Sequence, residues 1–279
     1  MSIHVLYHAN CPDGFGAALA CWMKFGSNAK YHPVRYGAPP PITPEQHDII
    51  YVVDFSYPYA VLEAWSAIGC LIDIYDHHKT AQDDVLRAEK ELPHIVVAFD
   101  LNESGATLVW KRLHATEDVP LLFRYLRDRD FWLWELENSK EVSAALRSYP
   151  TEFTVWAAYL DDARIPALAS EGTSILRHIK KQVRAACRSA ILAKIGGHIV
   201  PCVHTTLYGS EIGNELCQRW PDAAFAVCYS QQGTPDNRYW RYGLRSIGEF
   251  DVSEIAKGYG GGGHQNAAGF VYGNNICVP

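Results

Sequence analysis

Four short apolar runs in the first hundred residues constrain this chain more than any other feature. They are HVLYH (4–8), IIYVVDF (49–55), CLIDIYDHH (70–78) and HIVVAF (94–99). Between them lie stretches with helical spacing: about Gly14 to Phe25, Tyr59 to Ile68, and SGATLVWKRLHA (104–115), where Ser104 is placed as an N-cap. Strands that alternate with helices predict an α/β fold with a mostly parallel sheet covered by helices on both faces. Such sheets bind ligands beyond the carboxyl ends of their strands. Polar residues collect at that edge: His8 and Asp13 follow the first run, Asp54 closes the second, and Asp76, His77 and His78 close the third.

The remainder predicts a second, smaller α/β domain, with a cleft between the two. Residues 118–195 carry Leu, Ala, Arg and aromatics at helical spacing, ending in a long helix through 174–195. Beyond it, GGHIVPCVHTTL, AAFAVCYS and RYWRYGLRS read as strands, with a helix near Ser210–Trp220. The expected organisation is a first domain over 1–172, a linker helix over 173–196 and a second domain over 197–279.

Composition narrows the partners. With 25 Lys and Arg against 31 Asp and Glu, the formal net charge is −6, which argues against a broad footprint for long duplex DNA and leaves room for a local basic groove and a short anionic ligand. The eight cysteines include no CxxC pair, so reduced core thiols in a cytoplasmic protein are expected. No basic-then-apolar leader opens the chain and no apolar run approaches membrane-spanning length, so neither secretion nor a membrane partner is expected.

Asp and His side chains converging from successive strand ends suit divalent metal ions, and two ions need a carboxylate that bridges them. Asp54, on the central strand, is the expected bridge. His77 suits an imidazole ligand, His78 a substrate contact or proton donor, and Asp76 either a ligand or an orienting group. RDRDFW (127–132) offers Asp128 and Asp130, and spacing alone does not choose between them. Near the end, GGGGHQNAAGF (260–270) suggests a backbone nest for phosphate oxygens at a helix start, with Arg245 as a bidentate clamp on the same anion. Tyr239, Trp240 and Tyr242 are nearby and suit either base stacking or core packing.

In order along the chain, HANCPDGFGAA (8–18), VVDF (52–55), DHH (76–78), RDRDFW and GGGGHQNAAGF resemble the successive motifs of the DHH phosphoesterase family with its C-terminal DHH-associated domain. The resemblance implies a two-domain hydrolase with a manganese-type centre of two ions, Mg2+ or Co2+ being alternatives. It implies His8, Asp13, Asp54 and His77 as metal ligands, completed by Asp128 or Asp130. Asp54, Asp76 and His78 then carry the catalysis, and Arg245, Gly261, Gly262, Gly263 and His264 hold substrate. One departure stands out. The family's first motif offers two acids one residue apart, where this chain has Cys11, Asp13 and Phe15; a thiol suits softer ions than manganese, so Cys11 is not expected to bind one tightly.

The implied activity is hydrolysis of phosphodiester bonds in di- and oligonucleotides, as in nanoRNases and single-strand exonucleases. The alternatives are an exopolyphosphatase, a phosphohydrolase of nucleoside bisphosphates or cyclic dinucleotides, and a non-enzymatic nucleotide-binding regulator. A homodimer stays open.

Overall fold

The computed structural model describes residues 1–234 and 237–277. It separates into two units, Met1–Leu176 and Arg177–Pro279; Val278 and Pro279, at the end of the expected second domain, lie outside the described residues.

The first unit contains β1 (Ile3–His8), α1 (Pro12–Phe25), β2 (Ala29–Val34), β3 (Ile49–Val53), α2 (Tyr59–Ile68), β4 (Leu71–Asp76), α3 (Gln82–Glu91), β5 (Ile95–Phe99), α4 (Gly105–Leu113), α5 (Leu121–Asp130), α6 (Ser139–Leu146), α7 (Phe153–Ala157) and the start of α8 (Ile165–Ala186). The five strands form one sheet in the order β2-β1-β3-β4-β5, and every pairing is parallel. Successive side chains point to opposite faces, and both faces are apolar. Leu6, Ile50, Val52, Ile72 and Ile74 pack with Leu62 and Trp65 of α2 and Val85 and Ala88 of α3. Val5, Val53 and Tyr75 pack on the other face with α1 and α4. Each fully buried aliphatic side chain contributes on the order of 1.5–3 kcal/mol. In this strand order the chain changes direction between β1 and β3, and the crevice there is where a doubly wound sheet opens to a ligand.

The strand β2 was not foreseen. AKYHPV carries a lysine and a proline, and it is an edge strand paired only with β1, a position that tolerates proline. The long helix also differs from expectation. It runs Ile165–Ala186 rather than 174–195, and Ile191–Ile195 instead forms β6. Gly172 lies inside α8, where a Cβ would overlap the Glu141 carbonyl, so the close packing there requires glycine.

The second unit adds β7 (His198–His204), α9 (Gly209–Arg219), β8 (Ala226–Thr234), β9 (Asn237–Arg245), α10 (Val252–Gly258), β10 (Gly262–His264) and β11 (Ala267–Tyr272). Its six strands run in the order β10-β11-β9-β8-β7-β6, antiparallel except for the β7/β8 pair. Val200, Cys202, Phe225, Val227, Tyr242, Leu244 and Phe270 form its core. The glycine run does not begin a helix, as expected from sequence. It enters the β10/β11 hairpin, where a Cβ on Gly263 would meet the Ala267 carbonyl oxygen at 2.6 Å. Among the described residues no helix is long and apolar enough to cross a membrane. All eight cysteines are free.

Candidate metal centre

The carboxyl edge of the parallel sheet brings together side chains more than a hundred residues apart. Asp54 follows β3 directly, and its backbone is left-handed (φ 60°) while its N–H still bonds the Tyr75 carbonyl at 2.9 Å. A non-glycine residue held there is strained, and such strain gathers at functional sites. The turn aims its carboxylate two ways. Oδ1 lies 3.0 Å from His77 Nε2, and Oδ2 lies 3.3 Å from His8 Nδ1.

His77 Nε2 also faces Asp13 Oδ2 at 3.8 Å and Asp130 Oδ2 at 3.7 Å. Two groups of potential metal donors result, each with its atoms within 4.8 Å of one another: Asp13, His77 and Asp130, and His8, Asp54 and His78. Asp54 touches a member of each group, which gives it the geometry of a bridging carboxylate.

Two glycines make the approach possible. A Cβ on Gly14 would overlap the His8 carbonyl and lie 3.0 Å from Asp54 Oδ2. A Cβ on Gly105 would lie 2.5 Å from Asp54 Cβ and 2.8 Å from its Oδ1. The Gly105 N–H also donates to Asp13 Oδ2 at 2.5 Å, and Ala106 N–H to Oδ1 at 3.3 Å, so the N-terminus of α4 holds the Asp13 carboxylate. Ser104 caps the same helix in a reciprocal capping box with Thr107. For Ser104 and Gly105 the sequence favours a cap over support of the metal site; the glycine after the cap is the available signal for the second role.

Asp76 stands behind the centre. Its Oδ1 accepts from the backbone N–H groups of His77 (2.8 Å) and His78 (3.1 Å) and contacts His78 Nδ1 at 2.7 Å, while Ser56 donates to Oδ2 at 2.6 Å. It therefore orients the two histidines; neither the ligand nor the catalytic role expected for it fits a carboxylate so fully occupied. Asp128 is likewise removed from the ligand set. The Glu135 N–H donates to its Oδ1 at 2.9 Å and the Ser139 hydroxyl to its Oδ2, so it ties the loop after α5 to α6. Asp130 is the acid that faces His77.

The electrostatics call for positive charge. Burial, then repulsion from Asp54 and Asp130, drives the Asp13 carboxyl well above its ordinary range. Burial also opposes ionisation of Asp54, but contacts with the His77 and His8 rings hold it well below the usual carboxylate range. Burial works against charge on His77, yet Asp54, Asp130 and Asp13 push it up to about 10. Asp54 Oδ2 and His8 Nδ1 are buried without a hydrogen-bond partner, and a buried polar atom left so is costly unless something coordinates it. The donor set of carboxylates and imidazoles fits divalent cations. Cys11 precedes α1, and burial followed by the charges of Asp54, Asp130 and Asp13 pushes its thiol well up, so it stays protonated.

In the second unit, Arg245 Nη2 donates to Ser210 Oγ at 2.7 Å and Nη1 to the Leu244 carbonyl at 2.8 Å. Gly262, Gly263 and His264 lie on β10, and Gly261 just before it. Tyr242 is wholly buried and stacked on Phe270, so it packs the core rather than offering a free face to a base.

No family model matches the chain. It is 26% identical over 304 residues to the uncharacterized protein R106 of Acanthamoeba polyphaga mimivirus, covering 99% of this chain and 69% of that protein. It is 24% identical over 298 residues to the oligoribonuclease NrnB of Bacillus subtilis (strain 168), covering 95% of this chain and 71% of the relative. Among solved structures, an exonuclease RecJ bound to manganese is similar at 16% identity and a TM-score of 0.48, covering 97% of this chain and 86% of that one. The ordered motifs, the donor groups gathered at one sheet edge and relatives matched over nearly the whole of this chain agree on one likeness: the chain resembles the DHH phosphoesterase family.

Proposed function

We propose that the chain is a metal-dependent phosphoesterase that hydrolyses phosphodiester bonds in short nucleotides, releasing mononucleotides from di- and oligonucleotides. One observation carries this reading: Asp54, held in a strained backbone conformation, belongs to one donor group and contacts His77 of the other, and the two groups draw on five separate chain segments. The likeness to an oligoribonuclease supports the substrate class.

In this reading Asp13, His77 and Asp130 hold one divalent cation, manganese by preference, and His8 and Asp54 hold a second, with Asp54 between them. When bound, the ions polarise the scissile phosphate and lower the pKa of a water for in-line attack. His78, oriented through Nδ1 by Asp76, faces the substrate; contact with Asp76 raises its pKa against the opposing effect of burial, which suits a proton donor to the leaving oxygen. Arg245, Gly261, Gly262, Gly263 and His264 of the second unit bind a distal phosphate. A protein of net charge −6 gains little from long-range attraction to a duplex, which favours small substrates.

Turnover of a diribonucleotide, a nucleoside 3′,5′-bisphosphate and inorganic polyphosphate, measured side by side with manganese, tests the reading. Preferred cleavage of the dinucleotide supports it. Dominant turnover of polyphosphate overturns it, as does inertness toward all three.

A further inference from the structure

The stretch from Gly172 to Ser210 contains no acidic residue, yet it carries Arg177, Lys180, Lys181, Arg184, Arg188 and Lys194. In a chain with an acidic balance, this is a marked local reversal of charge. Along α8 and the turn after it, positions 177, 181, 184 and 188 repeat at four-, three- and four-residue steps, which places them on one helix face. Ile179, Val183 and Cys187 form the buried face. Lys180, Lys181, Arg184 and Arg188 are exposed, and none of the four makes an ion pair among the described residues. A solvated helix ordinarily mixes charge signs to limit repulsion between like charges four residues apart; among Lys180, Lys181, Arg184 and Arg188 no ion pair of the described residues offsets it.

Beside this face the second unit has a hollow of ≈ 240 Å³. His178, Gln182 and Ala186 of α8 line one wall, and Leu207, Tyr208 and Ile212 line the other. His178 follows Arg177 and Gln182 follows Lys181, so the wall adjoins the basic stripe around the helix. The volume is below the usual range for drug-sized ligands and suits one flat ring system. A row of cations next to an apolar slot with aromatic and imidazole groups is the arrangement that binds single strands, phosphates on the charges and a base in the slot.

We propose that this face of α8, with the adjoining hollow, is a docking site for the single-stranded backbone of oligonucleotides longer than a dinucleotide. The inference extends the nucleotide-hydrolase reading by assigning the chain a hold on longer strands. Polyanion charge alone does not fill the hollow, so the occupant is a nucleic acid rather than an anionic lipid surface.

Fluorescence anisotropy with EDTA present, using the full chain and an end-labelled ten-nucleotide RNA, tests it without hydrolysis. The K180Q/K181Q/R184Q/R188Q variant should bind at least tenfold more weakly at low salt. Its log Kd against log salt slope should fall by about 2.8, from four contacts at ~0.7 each on a single strand. Manganese-dependent hydrolysis of a diribonucleotide should be unchanged by the same substitutions. Filling the hollow with A186W should weaken RNA binding and leave binding of inorganic polyphosphate unaltered. Unchanged RNA affinity and slope in the quadruple variant overturn the proposal, and so does binding to anionic vesicles in place of RNA. Equal losses of RNA and polyphosphate on A186W overturn the role of the hollow. If the dinucleotide is not hydrolysed while the RNA slope behaves as stated, the hydrolase reading fails and the docking site stands.

Discussion

Gly105→Ala separates a local argument from a tertiary one. By helix propensity alone the change is favourable by up to about 1 kcal/mol, since Gly105 opens α4 with an ordinary negative φ. The neighbours reverse that. The new Cβ would stand 2.5 Å from Asp54 Cβ and 2.9 Å from its Cα. Carbon atoms touch at about 3.5 Å, so Asp54 or the start of α4 must move by roughly 1 Å. Both alternatives act on the centre, because Asp54 faces His77 and His8 while the Gly105 N–H holds Asp13. Displacing reacting groups by about 1 Å costs on the order of a hundredfold in rate, or about 2.7 kcal/mol of barrier, and overpacking adds roughly 1–3 kcal/mol of instability. Single-turnover hydrolysis of a diribonucleotide at saturating manganese, with thermal unfolding in parallel, reads both quantities. Gly258→Ala, which meets nothing within 4 Å, is the control and should stay within twofold of the wild type. Retention of more than a third of the wild-type rate by G105A would refute the close-approach argument.

Three further outcomes are expected. Asp130→Asn should reduce kcat by at least a hundredfold with the melting temperature nearly unchanged, whereas Asp128→Ala, which removes the acceptor of two hydrogen bonds, should cost about 2 kcal/mol and roughly 4–8 °C in Tm while the folded enzyme keeps its activity; the reverse pattern would exchange their roles. Manganese at a hundredfold excess over its Kd should stabilise the protein by about 2.7 kcal/mol, and Asp54→Asn should abolish most of that shift in a thermal melt. At the start of the sheet, His4 Nδ1 lies 3.1 Å from His32 Nε2, and burial holds both histidines below their ordinary pKa, with Lys30 adding to the effect on each and His4 on His32. The unfolded chain therefore takes up protons first, so this contribution is intact above about pH 6.5 and is lost as the pH falls through the lowered folded values; denaturation midpoints between pH 7 and 5 should fall more steeply for wild type than for His32→Gln.

The sequence made the first sheet legible because its strands are buried on both faces, and such strands read as continuous apolar runs. Ile50 and Val52 meet one core while Val53 meets the other, so no position is free to be polar until the strand ends. That is also why His8, Asp54, Asp76, His77 and His78 stood out: they close the first three runs. The edge strand β2 lacked this constraint and was missed. Asp128 and Asp130 are two positions apart on α5, hence about 200° apart around the helix axis, so sequence shows that they point in different directions without showing which faces the sheet. Nor does any sequence pattern encode the left-handed turn at Asp54, which follows from pairing its N–H to Tyr75 while its side chain turns between two histidines.

The altered first motif bears on charge more than on geometry. Phe15 is buried, stacked at 4.9 Å on Phe153 and edge-on to Trp156 at 4.9 Å, so its side chain belongs to the core. A carboxylate there would have to leave that aromatic cluster to reach the centre, and an acid left inside it would be buried without a partner. The protonated Cys11 thiol adds no charge either. Asp76 is engaged by His78 and two backbone N–H groups, and its charge is already offset there. The centre thus presents Asp13, Asp54 and Asp130 as its acids, beside the imidazoles of His8 and His77. In the proposed two-ion reading, two divalent cations held by three carboxylates would leave a surplus of positive charge, whereas a fourth carboxylate would neutralise it. That surplus favours an anionic phosphate diester over a neutral ester at the same position. Replacing Cys11 with aspartate would remove it, tightening the hold on metal while raising KM for the dinucleotide, and a lower KM in C11D would show that the surplus does not draw the substrate.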